Sequence, residues 1–440
     1  MNGYILETGF LGGRIGKVKG ENLLAYRSFI WEESQQEGKI CRGIVKKVMP
    51  GLEAAFVDIG EEKNGYLPME NLKLKGGQEV LVQVKRGAQG EKGAKLTSKI
   101  SIPGRNIVLL PGEKSILFSS KLEEEVKLRL KKTIGSLKSQ DHGIILRTES
   151  KESNEADLKE EYEELLDVWN NIKKEFSMGM GSKVLWEEEE TPFKFLRDTL
   201  EKEDTTILIN DKKYMIRLKE FLKKISRADV EVRYLEGNIL LNSEFNKDIR
   251  DIFSRKIALK KGGSLVFDST EAFEVIDVNS GGFAGGLVLE ETALEVNLEA
   301  AKSVVKQIQL RDLGGIILVD FIDMKSENAK KKLIEAVETE LKKDKKKASV
   351  VAITELGIMQ IIRKKSSKED MSQSLKEILF DIEMELSEKI LIQEKTECSI
   401  CIDEEYIMKV KKYISILEKK LKLKINLKKQ EKNKKIFIIS

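Results

Sequence analysis

The sequence predicts an α/β multidomain protein, and three observations lead to this fold class. The chain has 440 residues, which is too long for one ordinary hydrophobic core. Residues 36–100 contain short strand patterns separated by Gly, Pro and Asn. Residues 273–323 contain two apolar strand patterns joined by a long amphipathic helix pattern. A small barrel and a separate α/β unit are therefore expected.

The segment 36–100 predicts a closed five-stranded barrel of the OB type. Its strand patterns cover residues 39–48, 52–60, 64–68, 79–84 and 94–100. Phe56 and Tyr66 lie on the second and third strands, where such barrels stack unpaired bases on aromatic side chains. The basic residues expected to follow the phosphates are Arg42, Lys46, Lys85 and Lys92. Aromatic residues of a small barrel also commonly belong to its core, so both interpretations stay open.

The strand–helix–strand pattern of residues 273–323 predicts a metal site. Asp277 and Asn279 end the first strand pattern on one face, since side chains repeat every second residue, and Asp320 ends the second. A crossover helix over residues 290–308 would place the two strand ends side by side at one edge of a sheet. Oxygen ligands without His or Cys suit Mg²⁺ or Mn²⁺ rather than zinc.

The alternative for these acidic residues is a role in turns, because Asp and Asn commonly follow strands as turn formers. Two features favour the metal site. The acidic clusters come as a pair, and Asp277 and Asp320 each stand between apolar residues, which predicts burial that a cation would have to compensate.

Residues 101–252 give weaker signals. Arg147 and Thr148 follow the apolar strand pattern 143–146 and offer a guanidinium and a hydroxyl suited to a terminal phosphate. Residues 193–252 alternate helix and strand patterns. The opening segment, 1–34, is interpreted as one strand without a partner of its own, and we expect it to join the 193–252 unit, with the barrel as an insertion.

Composition excludes several classes of protein. Lys and Arg total 78 against 74 Asp and Glu, so the net charge of +4 does not by itself indicate a nucleic-acid binder. The N-terminus has no secretory leader pattern and no apolar run is long enough to cross a bilayer, so a cytoplasmic protein is expected. The single His, His142, lies far from the acidic clusters. A nuclease site here would therefore depend on a metal-activated nucleophile.

The three cysteines, Cys41, Cys398 and Cys401, are too few for a disulfide framework. The spacing of Cys398 and Cys401 occurs in zinc knuckles, but no Gly or Pro forms the tight turn of a knuckle. Residues 397–402 instead alternate like a strand, which would place the two thiols on opposite faces. Two structural cysteines are predicted.

Several stretches resemble the bacterial ribonuclease E/G family, in the order that the family has them. They are residues 52–60, 65–68, 262–272, 276–280, 289–293, 297–301 and 310–324. The last stretch, Leu-Arg-Asp-Leu-Gly-Gly-Ile-Ile-Leu-Val-Asp-Phe-Ile-Asp-Met, is highly specific.

The resemblance implies endonucleolytic cleavage of single-stranded, often A/U-rich RNA, with a 5′-phosphate and a 3′-hydroxyl as products. It implies that Asp277 and Asp320 hold catalytic Mg²⁺ and that Asn279 supports the scissile phosphate or the attacking water. By resemblance, the barrel residues that contact RNA are Phe56, Tyr66 and Lys92. The residues implied for a pocket that senses a 5′-monophosphate are Gly104, Val108, Arg147 and Thr148.

The domain organisation implied by the resemblance has five parts. They are a ribonuclease-H-like domain (1–35 and 193–252), an OB-fold RNA-binding domain (36–100), a 5′-sensor region (101–192), a DNase-I-like catalytic domain (253–380) and a small C-terminal α/β domain (381–440).

The chain departs from the family pattern at three places. The family's zinc-link motif, Cys-Pro-x-Cys-x-Gly, has no counterpart near residues 379–385, so a zinc-bridged dimer is not expected, while another homo-oligomer is left open. The loop 281–286 lacks the basic residues of relatives, which would weaken substrate affinity. Residues 357–365 differ from the sequence that is usual in the family at this place, although Arg363, Lys364 and Lys365 keep a basic cluster.

The sequence therefore predicts a Mg²⁺-dependent endoribonuclease that prefers 5′-monophosphorylated RNA. Two alternatives remain. One is an RNA-binding protein that kept the fold with weak catalysis, and the other is a metal-dependent phosphatase or nucleotide hydrolase, which would not need the barrel aromatics.

Overall fold

The computed structural model describes residues 1–31, 36–69, 72–88, 92–137, 141–240, 243–260, 262–270, 272–280, 290–365, 373–393, 396–430 and 437–439. Within these ranges, no helix is both long enough and apolar enough to span a bilayer.

The described residues form twenty-four strands. In chain order they are β1 Asn2–Thr8, β2 Gly12–Lys19, β3 Asn22–Ile30, β4 Ile40–Met49, β5 Ala54–Asp58, β6 Gly65–Pro68, β7 Glu79–Arg86, β8 Lys95–Thr97, β9 Ile102–Pro103, β10 Ile107–Pro111, β11 Ile116–Phe118, β12 His142–Leu146, β13 Lys183–Trp186, β14 Thr206–Ile209, β15 Glu231–Tyr234, β16 Lys256–Ala258, β17 Ser264–Ser269, β18 Phe273–Asn279, β19 Gly315–Asp320, β20 Ala348–Ile353, β21 Ile358–Arg363, β22 Glu397–Asp403, β23 Lys424–Gln430 and β24 Phe437–Ile439.

Nine α-helices are described. They are α1 Glu124–Leu137, α2 Glu155–Met178, α3 Thr191–Thr199, α4 Lys212–Lys224, α5 Asn246–Phe253, α6 Glu290–Leu310, α7 Glu327–Leu341, α8 Gln373–Gln393 and α9 Glu404–Leu421. The longest, α2, begins at a capping box: the Asn154 side chain accepts from the amide of Asp157, and the Asp157 carboxylate accepts from the amide of Asn154. These bonds satisfy amides that the first helical turn would otherwise leave unpaired.

The N-terminal residues form part of a five-stranded sheet with strand order β15-β14-β1-β2-β3. The interpretation of residues 1–34 as one unpartnered strand is wrong, because β1, β2 and β3 form an antiparallel meander. Glycines at 12, 13, 16 and 20 interrupt the apolar pattern there, so one long strand could not be told from three short ones. β1 also pairs in parallel with β14, which brings residues 206–209 to the start of the chain.

The barrel predicted for residues 36–100 is confirmed. β4, β5, β6, β8 and β7 pair in that order, and β4 also pairs with β7, which closes the barrel. A long β4 makes closure possible, since its first half contacts β7 and its second half contacts β5. The interior is filled by small and branched apolar side chains, including Val45, Ala55 and Leu96.

A four-stranded sheet, β11-β12-β10-β9, follows the barrel and packs against α1 and α2. The next sheet has six strands in the order β16-β17-β18-β19-β21-β20. Its buried residues, among them Ile276, Ile317 and Met359, pack against α6 and α7 on one face. The opposite face is open as far as the described residues show, and it carries the exposed and half-buried side chains that alternate with these core residues.

The last described sheet, β23-β22-β24, packs with α8 and α9 around a separate apolar cluster. Cys398 lies in this cluster with Ile400 and Ile402, whereas Cys401 is only half-buried. The predicted alternation along this strand is confirmed, and the two thiols lie on opposite faces of β22.

A buried ion-pair network joins α8 to the N-terminal sheet. The guanidinium of Arg14 is fully buried, with Nε 2.5 Å from the Glu7 carboxylate and Nη1 2.6 Å from the Glu377 carboxylate. The ring of Phe380 lies 4.8 Å from the Arg14 Cζ. Tyr26 also donates to Glu377. The helix after the six-stranded sheet is thus anchored to the start of the chain by charge as well as by apolar packing.

Candidate active site

The two acidic strand ends are neighbours in the six-stranded sheet. β18 and β19 pair in parallel, and Asp277 is the register partner of Asp320. Register partners in adjacent strands point to the same face, so both carboxylates project from the open face. The crossover between these parallel strands includes α6, as the sequence predicted. The predicted adjacency of the two aspartates is confirmed, while their chemical role stays a prediction.

The expectation that these carboxylates are buried is wrong. Asp320 and Asn279 are exposed and Asp277 is half-buried. Their apolar neighbours in sequence, Val278 and Val319, are the buried residues, because alternate side chains of a strand point to opposite faces. The apolar residues beside each aspartate therefore indicate that the other face of the strand is buried. They do not indicate that the face carrying the aspartates is buried.

Negative charge is concentrated at this sheet edge. The pKa of Asp320 is raised, first by partial burial and then by the charges of Asp277 and Asp323. The amide nitrogen Nδ2 of Asn279 donates to Oδ2 of Asp277 at 2.7 Å and partly offsets that charge. An arrangement in which one carboxylate disfavours ionisation of the next is the kind that a divalent cation stabilises.

The donor set fits Mg²⁺ or Mn²⁺, since Asp277 and Asp320 offer carboxylate oxygens side by side. Mg²⁺ is commonly held by one or two carboxylates and keeps several water ligands. Within the ranges that the structure describes, no group of three or more His, Cys, Asp or Glu side chains is arranged to hold a metal. Among the described residues, the carboxylates that lie side by side at this position are those of Asp277 and Asp320.

A buried amide fixes the segment that follows Asp320. Asn297 on α6 is fully buried, and its Nδ2 donates to the carbonyl of Ile322 at 2.8 Å while its Oδ1 accepts from the amide of Ile322 at 3.0 Å. This double contact holds the backbone between Asp320 and Asp323. Asn297 stands in one of the family-like stretches, but its partner is twenty-five residues away, so sequence spacing alone did not reveal the contact.

The outer surface of the barrel carries an aromatic pair. Phe56 and Tyr66 are register partners on β5 and β6, with ring centroids 6.2 Å apart in an edge-on arrangement. Both rings are half-buried, so neither is a full core residue. Lys47 pairs with Phe56 and Lys95 pairs with Tyr66, and both lysines are exposed. The result is a row of two aromatic rings flanked by two cations. The sequence predicted the two rings but neither Lys47 nor Lys95.

The remaining predicted barrel cations differ in position. Lys92 and Lys85 are exposed, and Lys46 pairs with Asp58 at 3.1 Å. Arg42 is 2% exposed, and its guanidinium donates to the carbonyls of Glu175, Phe176 and Gly181. The prediction that Arg42 follows RNA phosphates is therefore wrong, because its donors satisfy the C-terminal end of α2.

Arg363, which the sequence interpretation kept as part of a basic cluster, is also buried. Its side chain is 4% exposed and donates to Asp344 at 2.6 Å and to Asp312 at 2.8 Å. Lys364 and Lys365 are exposed. Arg363 is thus structural, whereas the two lysines remain accessible. The loop 281–286, for which weakened substrate affinity was expected, lies outside the described residues.

Three of the four residues implied for the 5′-phosphate pocket come together at the end of β12. Arg147 Nη1 donates to the carbonyl of Gly104 at 2.8 Å. Thr148 follows directly, with its hydroxyl 2.9 Å from the Ser119 hydroxyl. Val108 lies on β10 as the register partner of Pro103 and Ile145.

The structure adds a carboxylate, Asp198, beside Arg147 and a lysine, Lys345, beside Asp198. Asp198 Oδ1 lies 2.8 Å from Arg147 Nη2, and the pKa of Asp198 is lowered by Arg197 and Arg147, which outweigh the opposing effect of burial. Nζ of Lys345 lies 3.3 Å from the Asp198 carbonyl and 3.4 Å from the Glu149 carboxylate, and burial lowers the pKa of this lysine. Neither group was predicted, because both come from segments distant in sequence.

The model of the Ribonuclease E/G family matches residues 101–366. Ribonuclease G of Escherichia coli strain K12 is 31% identical over 355 residues, which cover 75% of this chain and 73% of the relative. Ribonuclease G of Haemophilus influenzae is 32% identical over 371 residues, covering 78% and 74%. Ribonuclease E of Haemophilus influenzae is 31% identical over 379 residues, covering 80% of this chain but 40% of that relative.

Proposed function

Because the chain belongs to the ribonuclease E/G family, we propose that it is a Mg²⁺-dependent endoribonuclease that cuts single-stranded, A/U-rich RNA in RNA processing and decay. Ribosomal RNA maturation and messenger turnover are the processes that we assign to it, in the cytoplasm. The observation that carries the proposal is the register pairing of Asp277 with Asp320 on the open face of the sheet.

In this proposal Asp277 and Asp320 hold the divalent ion, with Mn²⁺ as an alternative to Mg²⁺. When bound, the ion would supply Lewis acidity at a phosphate oxygen and a lower pKa for water. Asn279 keeps one amide N–H on Asp277 and offers its second N–H to the scissile phosphate or its carbonyl oxygen to the attacking water. Asn297 keeps the segment after Asp320 in place.

The reaction that we assign is hydrolysis of a phosphodiester. Oxygen of water bonds to phosphorus, and the bond from phosphorus to the 3′ oxygen breaks, so that one product has a 5′-phosphate and the other a 3′-hydroxyl. His142, the one histidine of the chain, lies on β12 in the sheet next to the barrel and has no part in this scheme.

We assign RNA binding to the barrel through Phe56, Tyr66 and Lys92. Aromatic rings that are half-exposed on a barrel surface accept bases by stacking, which contributes about 1–3 kcal/mol per base. The flanking Lys47 and Lys95 would neutralise phosphates on each side of the stacked bases. We also propose the family's domain organisation for this chain, with ribonuclease-H-like, OB-fold, sensor, DNase-I-like and C-terminal parts.

The function is tested by incubating the protein with a 5′-labelled, single-stranded A/U-rich oligonucleotide. We expect internal cleavage with Mg²⁺ or Mn²⁺ and none after chelation, and mass spectrometry of the fragments should find 5′-phosphate and 3′-hydroxyl ends. A nucleoside monophosphate or triphosphate should not be hydrolysed under the same conditions. RNA binding without cutting would favour the weakly catalytic RNA-binding protein, and hydrolysis of nucleotides alone would favour the phosphatase.

A preference for 5′-monophosphorylated RNA is proposed through Gly104, Val108, Arg147 and Thr148. We expect that Arg147→Ala lowers kcat/KM about tenfold on a 5′-monophosphorylated oligonucleotide, since a hydrogen bond to a charged group contributes about 1.5–3 kcal/mol. The same oligonucleotide with a 5′-hydroxyl should be cut at nearly the unmodified rate. Equal reductions on both substrates would reject the pocket.

A further inference from the structure

The turn between β9 and β10 lies between a carboxylate and the predicted sensor arginine. On one side, the amide of Asn106 donates to Glu161 Oε1 at 2.8 Å, and the amide of Ile107 donates to the same oxygen at 3.3 Å. The side-chain amide of Asn106 donates to Glu161 Oε2 at 2.7 Å. Glu161 on α2 thus occupies a small nest of N–H donors on the inner side of this turn.

The carbonyls of the same turn point the other way, toward Arg147. The Gly104 carbonyl accepts from Arg147 Nη1 at 2.8 Å, and the Asn106 carbonyl accepts from the Arg147 amide at 2.8 Å. The Gly104 amide donates to the Ile107 carbonyl at 2.8 Å and closes the turn. One short segment therefore binds a carboxylate on its amide side, and on the other side it presents the Gly104 carbonyl to the Arg147 guanidinium and the Asn106 carbonyl to the Arg147 amide.

The short distance between Glu161 and the turn also explains why residue 104 is a glycine. A Cβ at position 104 would lie 2.1 Å from Glu161 Oε1, well inside contact distance. Any side chain at this position would displace the carboxylate, the turn or both. The identity of Gly104 and the position of Glu161 are thus parts of one arrangement.

Arg147 needs a restraint of this kind. Asp198 binds Nη2 of Arg147 at 2.8 Å and would draw the guanidinium toward itself. The carbonyl of Gly104 on Nη1 holds the other branch of the guanidinium. A guanidinium has five N–H donors, so three remain for a phosphate after these two contacts.

We propose that Glu161 is the positioning residue of the 5′-phosphate pocket, holding the 104–107 turn so that its carbonyls orient Arg147 toward a terminal phosphate monoester. This inference depends on the proposed function, because it assumes that Arg147 senses the 5′ end. Hydrogen bonds in a chain polarise one another, so a charged acceptor on the amide side strengthens the carbonyl contacts on the other side.

The test compares Glu161→Gln with Glu163→Gln, an exposed glutamate on the same helix. Each variant is assayed on one single-stranded oligonucleotide with either a 5′-monophosphate or a 5′-hydroxyl. In Glu161→Gln an N–H₂ group replaces one acceptor oxygen among N–H donors, so the preference for the 5′-monophosphate, as a ratio of kcat/KM values, should fall about tenfold. The loss should appear mainly as a higher KM for the monophosphorylated substrate, and Glu163→Gln should keep the ratio.

Arg147→Ala separates this inference from the proposed function. If Arg147→Ala abolishes the preference and Glu161→Gln keeps it, Glu161 has no positioning role and the pocket stands without it. If Arg147→Ala leaves the preference intact, both the pocket and the role of Glu161 are rejected.

Cleavage of the 5′-hydroxyl substrate reports that a variant is folded. Should Glu161→Gln lose both activities, Glu161→Asp, whose shorter side chain withdraws the carboxylate from the amides of Asn106 and Ile107, takes its place with the same expected loss of preference. An unchanged preference in a folded Glu161→Asp variant would overturn the proposal.

Discussion

Asp320→Asn is expected to slow RNA cleavage by about a thousandfold while leaving RNA affinity nearly unchanged. The substitution keeps the size of the side chain but removes one of the two charges that would hold the divalent ion. Loss of that ion's stabilisation of the transition state amounts to several kcal/mol, and each 1.36 kcal/mol is a factor of ten in rate. Affinity should persist because the barrel contacts are on a different sheet. Single-turnover cleavage and fluorescence anisotropy measure the two quantities.

The same variant should not lose stability in metal-free buffer. The pKa of Asp320 is raised in the folded protein, so its charged form is disfavoured there and stability falls as pH rises through that pKa. A neutral Asn removes this repulsion at neutral pH. We therefore expect a melting temperature at least equal to that of the unmodified protein without metal. Added Mg²⁺ should raise the melting temperature of the unmodified protein and not that of the variant, since a ligand stabilises only the state that binds it.

Asp268→Asn is the matched control for Asp320→Asn. Asp268 is an exposed carboxylate on the neighbouring strand β17 and pairs with Arg255 at 2.7 Å. Its loss should change cleavage less than about twofold, because exposed ion pairs contribute little. If Asp320→Asn cut RNA at the unmodified rate, or lost binding and cutting in equal measure, the two-carboxylate site would not be catalytic.

Arg14→Met is expected to be the most destabilising single change in the ion-pair networks of the described residues. The methionine fills similar space but leaves Glu7 and Glu377 with no cation in a buried setting. Breaking a buried pair by removing one partner typically costs about 3–5 kcal/mol. The first transition in urea, followed by tryptophan fluorescence, should shift to clearly lower denaturant, with α8 leaving the N-terminal sheet.

Two further variants test the reason for the loss in Arg14→Met. Adding Glu377→Gln removes part of the uncompensated charge, so the double variant should recover some stability, an interaction that a mutant cycle measures. Arg233→Met removes an exposed arginine that pairs with Glu231 and should leave the urea transition unchanged. A shift of similar size in Arg233→Met would mean that burial of Arg14 is not the cause.

The two central strands of the six-stranded sheet and the helix between them could be predicted from periodicity. The strand patterns ending at Asn279 and Asp320 correspond to β18 and β19, and the helix pattern between them corresponds to α6. The barrel was predictable for the same reason, since short alternating segments separated by turn residues constrain a small closed sheet. These elements leave a regular period in the sequence, because side chains that alternate between core and solvent recur every second residue in a strand and every 3.6 residues in a helix.

Charge patterns predicted individual roles less well. Arg42 was expected to follow RNA phosphates and Arg363 was interpreted as part of a basic cluster, yet both are buried and donate to the protein's own carbonyls and carboxylates. Conversely, the expected burial of Asp277 and Asp320 is wrong. A side chain's type does not report which face of a strand it occupies or whether a distant segment covers it.

The groups that sequence reasoning missed act through long-range contacts. Asn297 clamps a backbone segment that follows another strand, and Glu161 reaches a turn more than fifty residues earlier in the chain. Asp198 on α3 contacts Arg147, and Lys345, from the segment after α7, contacts the Asp198 carbonyl. No local sequence motif indicates such pairs, because the two partners come into contact only when the sheets have packed.

The amino-acid sequence alone determined the strands of the barrel, the unit formed by β18, α6 and β19, the family that the chain resembles and the two aspartates at strand ends, since alternation and motif order are properties of the chain itself. The tertiary structure decided which side chains share a face, which cationic side chains bind groups within the protein and which buried groups hold the sites in place. Those outcomes depend on distances between segments far apart in sequence, and such distances are set by packing rather than by local pattern.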